Sequence, residues 1–257
     1  MEYFWVCLVA LLGSALTLFS GFGLGTVLLP VFGLFFPIEI AVVLTAIVHF
    51  MNNIFKLYLF GKNANKNVVL KFGIPAIIFA FIGAYLLKLL SEMNPIFEYS
   101  VSGKTFEIMP IKFIIGILLI VFALFDFIPK LKNLEFDKKY LSIGGVFSGF
   151  FGGISGHQGA LRSAFLIRSG LSKQGFIATG VVIACLVDVS RLSIYIPKIV
   201  TNEITLNYKL VTFATFSAFA GVYFGNKLLQ KTTYTSIQNI VALMLVLYGF
   251  LLIFGVI

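Results

Sequence analysis

Apolar segments long enough to cross a lipid bilayer dominate this chain. The hydrocarbon core requires roughly 20 apolar residues of helix, and six segments approach that length: 38–60, 68–90, 109–128, 175–196, 206–229 and 237–257. Charged residues make up only 11% of the sequence, against about a quarter in soluble domains. We therefore predict an all-α integral membrane protein whose principal partner is the lipid bilayer.

The basic charge and the cysteines carry no signal for other partners or for cofactors. The formal net charge is +9, but the lysines lie in short loops and form no basic stripe, so no nucleic-acid partner is expected. Cys7 and Cys185 lie in separate apolar segments without disulfide or metal-ligand spacing. We expect no cofactor and no metal site. The oligomeric state is left open, homo-oligomers included.

Two further apolar segments, 3–36 and 140–169, are too long for one simple span and are interrupted by glycine-rich sequence. The breaks fall at 20–26 and 148–159, where so much glycine would weaken a continuous helix. Tight helix packing through small residues is the alternative explanation, but Ser, Thr, His and Gln accompany the glycines. We predict broken helix pairs, because irregular backbone at membrane depth is tolerated only inside protein or beside a wet cavity.

Loop charges test whether the broken pairs cross the membrane or turn back as re-entrant hairpins. If both cross, the basic residues are spread almost evenly over the two sides. If both turn back and the N-terminus is outside, the inside loops hold Lys62, Lys66, Lys71, Lys130, Lys132, Lys138, Lys139, Arg168, Lys173, Lys227 and Lys231, and the outside loops hold only Lys88, Lys104, Lys112, Lys198 and Lys209. Because cytoplasmic loops are enriched in Lys and Arg, we predict re-entrant hairpins, with both termini outside.

Each half of the chain, 1–129 and 130–257, then holds one re-entrant helix hairpin and three transmembrane helices of a single membrane domain. An odd number of crossings makes the second half enter from the opposite side, so the repeat is inverted. Motifs recur at corresponding places: FSGF at 19–22 and 147–150, and AFIGAY at 80–85 against AFAGVY at 218–223. Inverted repeats with broken helices are typical of secondary transporters, whose sites lie near the midplane.

The two breaks provide a candidate anion site. A helix half that begins at a break points unpaired N–H groups and the positive end of its dipole into the cavity. Arg162 follows the second break, and its guanidinium offers a planar fork to an oxyanion. The predicted substrate-binding residues are Ser20, Gly21, Gly23, Gly25, Thr26, His49, Asn52, Asn53, Ser148, Gly149, Ser155, Gly156, His157, Gln158 and Arg162.

A polar stripe on the first predicted span has a counterpart in the second half. The stripe consists of Thr45, His49, Asn52 and Lys56, and in lipid it should face the bundle interior. The residues expected to serve coupling or gating are Asp188, Arg191, Lys56 and Tyr195. Alternatives stay open: Lys56 and Arg191 could snorkel to an interface, and Asp188 could only neutralise Arg191. His49 suits either a helix-to-helix hydrogen bond or a proton carrier.

The glycine motifs and the sequence that follows them resemble the sulfite exporter TauE/SafE family nearly end to end. The resemblance is carried by FSGFG at 19–23 leading to Pro30, by GGVFSGFFGG at 144–153, and by RSAFL at 162–166. It implies an inner-membrane transporter for sulfite, sulfonates, sulfoacetate or other sulfur-containing anions. The sequence leaves open which anion is carried, in which direction, and with which coupling ion.

Three other functional classes compete with a transporter. An intramembrane serine hydrolase would use Ser155 in a GISG sequence, but rhomboid proteases place the base on a later helix, and no histidine follows His157. We therefore predict that the chain is not an enzyme. An anion channel would use the same donors and stays an alternative, whereas a membrane scaffold would not need two polar breaks.

Overall fold

The computed structural model describes the backbone of residues 1–20, 23–132, 134–201, 206–228 and 235–257; within these, it does not describe the side chains at 18–20, 126, 129, 132, 228 and 235–238. Gly21 and Phe22 of the first predicted break, and the side chain of Ser20, therefore lie outside the described residues. The longer helices are α1 (Glu2–Ser20), α2 (Leu24–Gly33), α3 (Ile38–Phe60), α4 (Lys66–Ser91), α5 (Pro110–Phe127), the short α6 (Pro129–Lys132), α7 (Leu141–Ser155), α8 (Gly159–Leu166), α9 (Lys173–Val200), α10 (Tyr208–Leu228) and α11 (Thr235–Ile253).

A helix covers most of every predicted span, and both long segments are broken into helix pairs, α1–α2 and α7–α8. In the described part of the chain, three helical stretches are long and apolar enough to cross a membrane: Ile38–Asn63, Lys66–Ser91 and Lys173–Val200. The shorter apolar stretches are Glu2–Thr17, Leu24–Gly33, Pro110–Phe125 and Asn239–Ile253. Crossing by α5, α10 and α11 stays a prediction.

Side-chain size is distributed on α4 as a lipid environment requires. Its outer face carries the large residues Ile74, Ile78 and Phe81, which are exposed, whereas Ala76 and Ala80 are fully buried. In water, such an apolar face would be costly to leave uncovered. In lipid, helices associate through small residues that allow close approach of their backbones, and the arrangement is favourable.

Helices α4 and α9 begin at side-chain caps. The Asn65 side chain accepts a hydrogen bond from Val68 N at 3.1 Å, and Ser172 Oγ accepts one from Gly175 N at 3.1 Å. Because such caps satisfy otherwise unpaired N–H groups, both helices begin slightly before the apolar segments do. Near the C-terminal ends of the two helices, Lys198 Nζ lies 2.9 Å from Glu92 Oε1. The hydrogen bond from Lys198 and its positive charge lower the pKa of the exposed Glu92 carboxyl.

Helix pairing follows a pattern that relates the two halves. Helix α4 packs along α7 and α1 packs along α10, while α3 packs against α9 and α5 against α11. The helices α1 to α5 of the first half can be matched in order with α7 to α11 of the second half. Exchanging the halves then turns the α4–α7 pair into the α10–α1 pair. The remaining two pairs map onto themselves.

The segment between α4 and α5, predicted as a solvated external loop, contains an antiparallel hairpin. Strands β1 (Phe97–Val101) and β2 (Lys104–Ile108) pair through a turn in which Ser102 and Gly103 both have positive φ, the backbone of a type I′ turn. Tyr99 OH donates a 2.6 Å hydrogen bond to Phe254 O after α11. The all-α prediction therefore missed one hairpin, although apolar and polar residues alternate along FEYSV at 97–101 and Ser102–Gly103 is a two-residue hairpin connection.

Candidate functional site

The two predicted breaks meet in the middle of the protein. Helix α2 begins after Gly23, which is extended, and α7 ends at Gly156, whose φ of 78° is left-handed. A Cβ added to Gly25 would lie 3.6 Å from Gly156 O and 3.7 Å from His49 Cδ2. The start of α2, the α7–α8 connection and α3 therefore share one junction.

Two glycines of the second break, together with Gly145 before it, serve helix packing instead of a break. Helix α7 continues through Ser155, so the connection is limited to 156–158. A Cβ on Gly145, Gly149 or Gly153 would collide with the α4 backbone, at Phe72, Ala76 and Ala80 respectively. The packing explanation thus holds for these glycines, and within the second break only Gly156 has a left-handed backbone conformation, which favours glycine.

A buried polar cluster, defined as His49, Asn53, Asp188 and Arg191, joins α3 to α9. Asp188 Oδ2 lies 2.7 Å from His49 Nδ1 and accepts a 3.1 Å hydrogen bond from Asn53 Nδ2. Its Oδ1 accepts a 3.0 Å hydrogen bond from Arg191 Nε, with Nη2 at 2.8 Å as an ion-pair contact outside hydrogen-bond geometry. Both oxygens of this fully buried carboxylate are therefore occupied.

The geometry decides two of the alternatives left open for Asp188 and Arg191. The i to i+3 ion pair forms on α9 as the spacing allows. Arg191 is fully buried, so it does not snorkel to an interface. Its Nη1 has no hydrogen-bond partner in the described structure and faces Gly156, where an added Cβ would lie 2.5 Å away.

A cavity lies beside the buried polar cluster, towards the C-terminal end of α3 and the N-terminal end of α9. It encloses about 500 Å³ of empty space, its opening included. Its wall consists of Thr17, Gly23, Leu24, His49, Asn53, Lys56, Arg162, Ser163, Leu166, Phe176, Ile177, Gly180 and Val181. The wall contains two basic side chains, Lys56 and Arg162, and no carboxylate.

Both cations of the cavity lack an acidic partner. Lys56 is only 6% exposed, yet it forms no hydrogen bond or ion pair with any described residue. Arg162 Nη1 is buried without a hydrogen-bond partner in the same part of the chain, and its Nε faces Gly180, where an added Cβ would lie 3.4 Å away. The cavity is therefore an electropositive site.

Of the predicted substrate residues that the structure describes, four line the cavity: Gly23, His49, Asn53 and Arg162. Lys56, which was assigned to coupling, lines it as well. Gly25 and Thr26 lie nearby in the first turn of α2 and are buried. Asn52 Oδ1 instead accepts a 2.9 Å hydrogen bond from Ser14 Oγ on α1. In the polar stripe on α3, His49 and Lys56 therefore face the cavity, whereas Asn52 contacts α1.

The polar residues of the second break are buried around the α7–α8 connection and do not line the cavity. His157 stacks on Phe122 at 5.8 Å between ring centroids, and its Nδ1 lies 3.0 Å from Ser155 O. Gln158 is 1% exposed, and neither polar atom of its side chain has a described partner. The local hydroxyl contacts are Ser148 Oγ to Gln158 O at 3.4 Å, Ser155 Oγ to Phe151 O at 3.2 Å, and Tyr195 OH to Gly153 O at 3.4 Å.

Several wall residues were missed by sequence reasoning. Thr17 on α1 and Ser163 on α8 are polar residues close in sequence to the first break and to Arg162, so their position along the chain offered a weak signal. Phe176, Ile177, Gly180 and Val181 form the α9 side of the wall. Apolar residues on an apolar helix carry no signal of this kind, since only the packing decides which of them face an opening.

Comparison with known families identifies the chain. A family model described as sulfite exporter TauE/SafE matches residues 6–252, which include both breaks, the buried polar cluster and the whole cavity wall. The chain belongs to the sulfite exporter TauE/SafE family. No curated protein matches the chain, and no solved structure does either.

Membership of the TauE/SafE family agrees with the chemistry of the cavity. The family is one of membrane transporters for sulfur-containing anions, and the cavity presents cations without acids. No group of three or more potential metal ligands occurs in the described part of this TauE/SafE chain. The protein is therefore a membrane transporter of this family.

Proposed function

We propose that the protein is a secondary transporter that moves a small anion, a sulfur oxyanion or organosulfonate of the sulfite or sulfoacetate type, across the inner membrane. The observation that carries the proposal is the pair of cations, Lys56 and Arg162, that face the cavity without an acidic partner. An unpaired buried charge is costly, and breaking a buried pair is strongly destabilising. A bound anion offsets that cost for both cations at once.

The chemistry of the wall suits a sulfur oxyanion. Arg162 provides a planar fork of donors and Lys56 a compact point charge, while the Asn53 amide adds a neutral polar group. Apolar residues, including Leu166 and Phe176, line the rest of the wall. Such a wall accommodates the short carbon chain of an organosulfonate beside its charged group.

Alternating access is the proposed mechanism, and the helix pairing supports it. The AFIGAY and AFAGVY motifs place Gly83 and Gly221 at corresponding positions, and an added Cβ would collide with Phe150 O on α7 and with Leu11 O on α1. Matched contacts in both halves support the inverted repeat of 1–129 and 130–257. Rocking of one half against the other would expose the shared junction to either side in turn.

The position of the cavity favours a transporter over a channel. It lies near the turn after α3 and the start of α9, where the loop charges at Lys62, Lys66 and Lys173 predict the cytoplasmic side. Beyond the buried polar cluster, Leu44 and Leu192 belong to a continuous apolar core. A site open towards one side and closed by apolar packing on the other is one state of an alternating-access cycle.

Reconstituted protein tests this proposal through saturable uptake and counterflow of labelled thiosulfate and sulfoacetate, with sulfite, sulfate and acetate as competitors. We expect Lys56→Met and Arg162→Gln each to weaken anion binding about 10- to 100-fold, since each removes one charge-assisted interaction. The matched controls are Lys62→Met, an exposed lysine next to α3, and Arg168→Gln, an exposed arginine paired with Glu135. Both controls should bind and transport like the wild type.

Three outcomes would contradict the proposal in different ways. Flux without saturation or counterflow would favour the channel alternative. Unchanged anion binding by both cavity variants would show that the anion binds elsewhere. Failure of a correctly folded wild-type protein to bind any of these anions would remove the anion class altogether.

A further inference from the structure

His49 lies between the cavity and the fixed charge of Asp188. One side of its ring contributes to the cavity wall, and its Nδ1 lies 2.7 Å from Asp188 Oδ2. The other ring nitrogen, Nε2, has only a long 3.4 Å contact with the Asn53 amide. His49 is therefore the one histidine of the chain that touches both the cavity and a carboxylate, because His157 does not line the cavity.

The hydrogen-bond partners of His49 determine which nitrogen carries its proton. Asp188 is held as a carboxylate by Arg191, so its Oδ2 accepts and His49 Nδ1 donates. A neutral imidazole then has a lone pair on Nε2, which meets only the long 3.4 Å contact from Asn53 Nδ2 among the described residues. One further proton can bind there without breaking the contact with Asp188.

The charges around His49 link a proton at Nε2 to an anion in the cavity. The charged groups that act on His49 are Asp188 and Arg191 on α9 and Lys56 on α3. Arg162 of α8 lies in the same cavity wall. The titratable ring of His157 is also close enough to interact electrostatically with His49. Three basic side chains, Arg191, Lys56 and Arg162, face one carboxylate before any substrate enters. A further positive charge is unfavourable in that field and becomes favourable once an anion has entered.

We propose that His49 is a proton-binding site and that anion and proton bind together, which makes the protein an anion–proton symporter. This inference rests on the proposed anion site. Linkage is reciprocal, so an anion that promotes protonation of His49 is itself bound more tightly when His49 is protonated. The buried polar cluster then transmits the charge state of the cavity from α3, in the first half of the chain, to α9, in the second half.

Proton uptake during binding tests the inference directly. Thiosulfate and sulfoacetate are suitable probes because both stay fully ionised near neutral pH, unlike sulfite. Calorimetry at one pH in two buffers of different ionisation enthalpy gives the number of protons taken up per anion. We expect about one proton per anion for the wild type, and a binding affinity that falls about tenfold per pH unit in mildly alkaline solution.

The two histidines of the chain allow the proton to be assigned. In His157→Gln protein labelled with ¹⁵N-histidine, His49 gives the only imidazole signals. We expect a neutral ring protonated at Nδ1 without anion, and a doubly protonated ring with thiosulfate. His49→Gln, whose amide can still donate to Asp188, should bind thiosulfate without proton uptake, while His157→Gln should take up a proton like the wild type.

The results separate the coupling from the anion site itself. Anion binding by the wild type without proton uptake, or a ring that stays neutral with thiosulfate bound, would overturn proton coupling and leave the transporter proposal standing. No thiosulfate or sulfoacetate binding by folded wild-type protein would overturn both. If His49→Gln does not fold, the wild-type proton count and the ring signals still decide the question.

Discussion

At the scale of single residues, Asp188 organises the centre of the protein. Its two oxygens contact His49, Asn53 and Arg191, and all of these groups are buried. A carboxylate in this position costs a large desolvation free energy, which its three partners offset. The cluster therefore depends on every member more than an exposed ion pair would.

Replacing Asp188 by Asn should destabilise the protein strongly. Arg191 would then be a fully buried cation without a counter-charge, and breaking a buried pair in this way costs about 3–5 kcal/mol. The change can be measured as a lower midpoint of thermal unfolding in detergent. The matched control is Glu135→Gln, which breaks the exposed pair with Arg168 and should change the midpoint little. Equal midpoints for Asp188→Asn and wild type would mean that water or rearranged neighbours replace the carboxylate.

At the scale of elements, the seam between α4 and α7 holds the second broken helix pair in position. The i, i+4, i+8 spacing of Gly145, Gly149 and Gly153 forms a stripe on α7, and the α4 backbone lies directly against it. This close approach maximises dispersion contacts where no hydrophobic effect drives helix association. The α7–α8 connection is thereby held at the junction with α2.

Gly149→Leu should disrupt this seam. A leucine side chain would overlap the Ala76 backbone, and overpacking of a close contact costs about 1–3 kcal/mol or more. We expect a clear loss of thermal stability, or of correctly folded protein, in size-exclusion chromatography. Phe147→Leu is the control, because Phe147 is 48% exposed on the same helix. Wild-type stability of Gly149→Leu would show that the helices separate without cost.

At the scale of the whole molecule, the charged loops and the hairpin define two ends. The cavity end carries Lys62 and Lys66 after α3 and Lys173 at the start of α9, whereas the β1–β2 hairpin joins the end of α4 to the start of α5. The hairpin also contacts the C-terminus through Tyr99. The predicted orientation therefore places the cavity end inside and both the hairpin and the C-terminus outside.

Cysteine labelling can test this orientation in intact cells. In a Cys7→Ser, Cys185→Ala background, we expect Lys104→Cys to react with a membrane-impermeant maleimide added from outside. Lys62→Cys should react only after the cells are permeabilised, because the positive-inside rule assigns its loop to the cytoplasm. The reverse labelling pattern would mean that the cavity end faces outside, opposite to the predicted orientation. Labelling of both sites from outside would contradict the predicted number of crossings.

Much of the fold was readable from local sequence. Apolar length located the helices, and the clusters of glycine located both broken pairs, because these properties depend on neighbours along the chain. The β1–β2 hairpin was missed although its signal is also local, an alternating FEYSV strand and a two-residue Ser-Gly turn, because the segment is a short polar connection between two apolar spans. Arg162 was identified as a candidate because a charge at membrane depth demands a function or a partner.

The sequence by itself determined that this chain is a helical membrane protein of the TauE/SafE family, with two glycine-broken helix pairs and polar residues in apolar helices. Only the tertiary structure decided which glycines pack against α4 and that Gly156 alone turns the chain in the second break. It also brought Lys56 next to Arg162 and joined His49 to Asp188, pairs that lie more than a hundred residues apart. Such contacts depend on how whole helices pack, and local patterns contain no information about the partner across an interface.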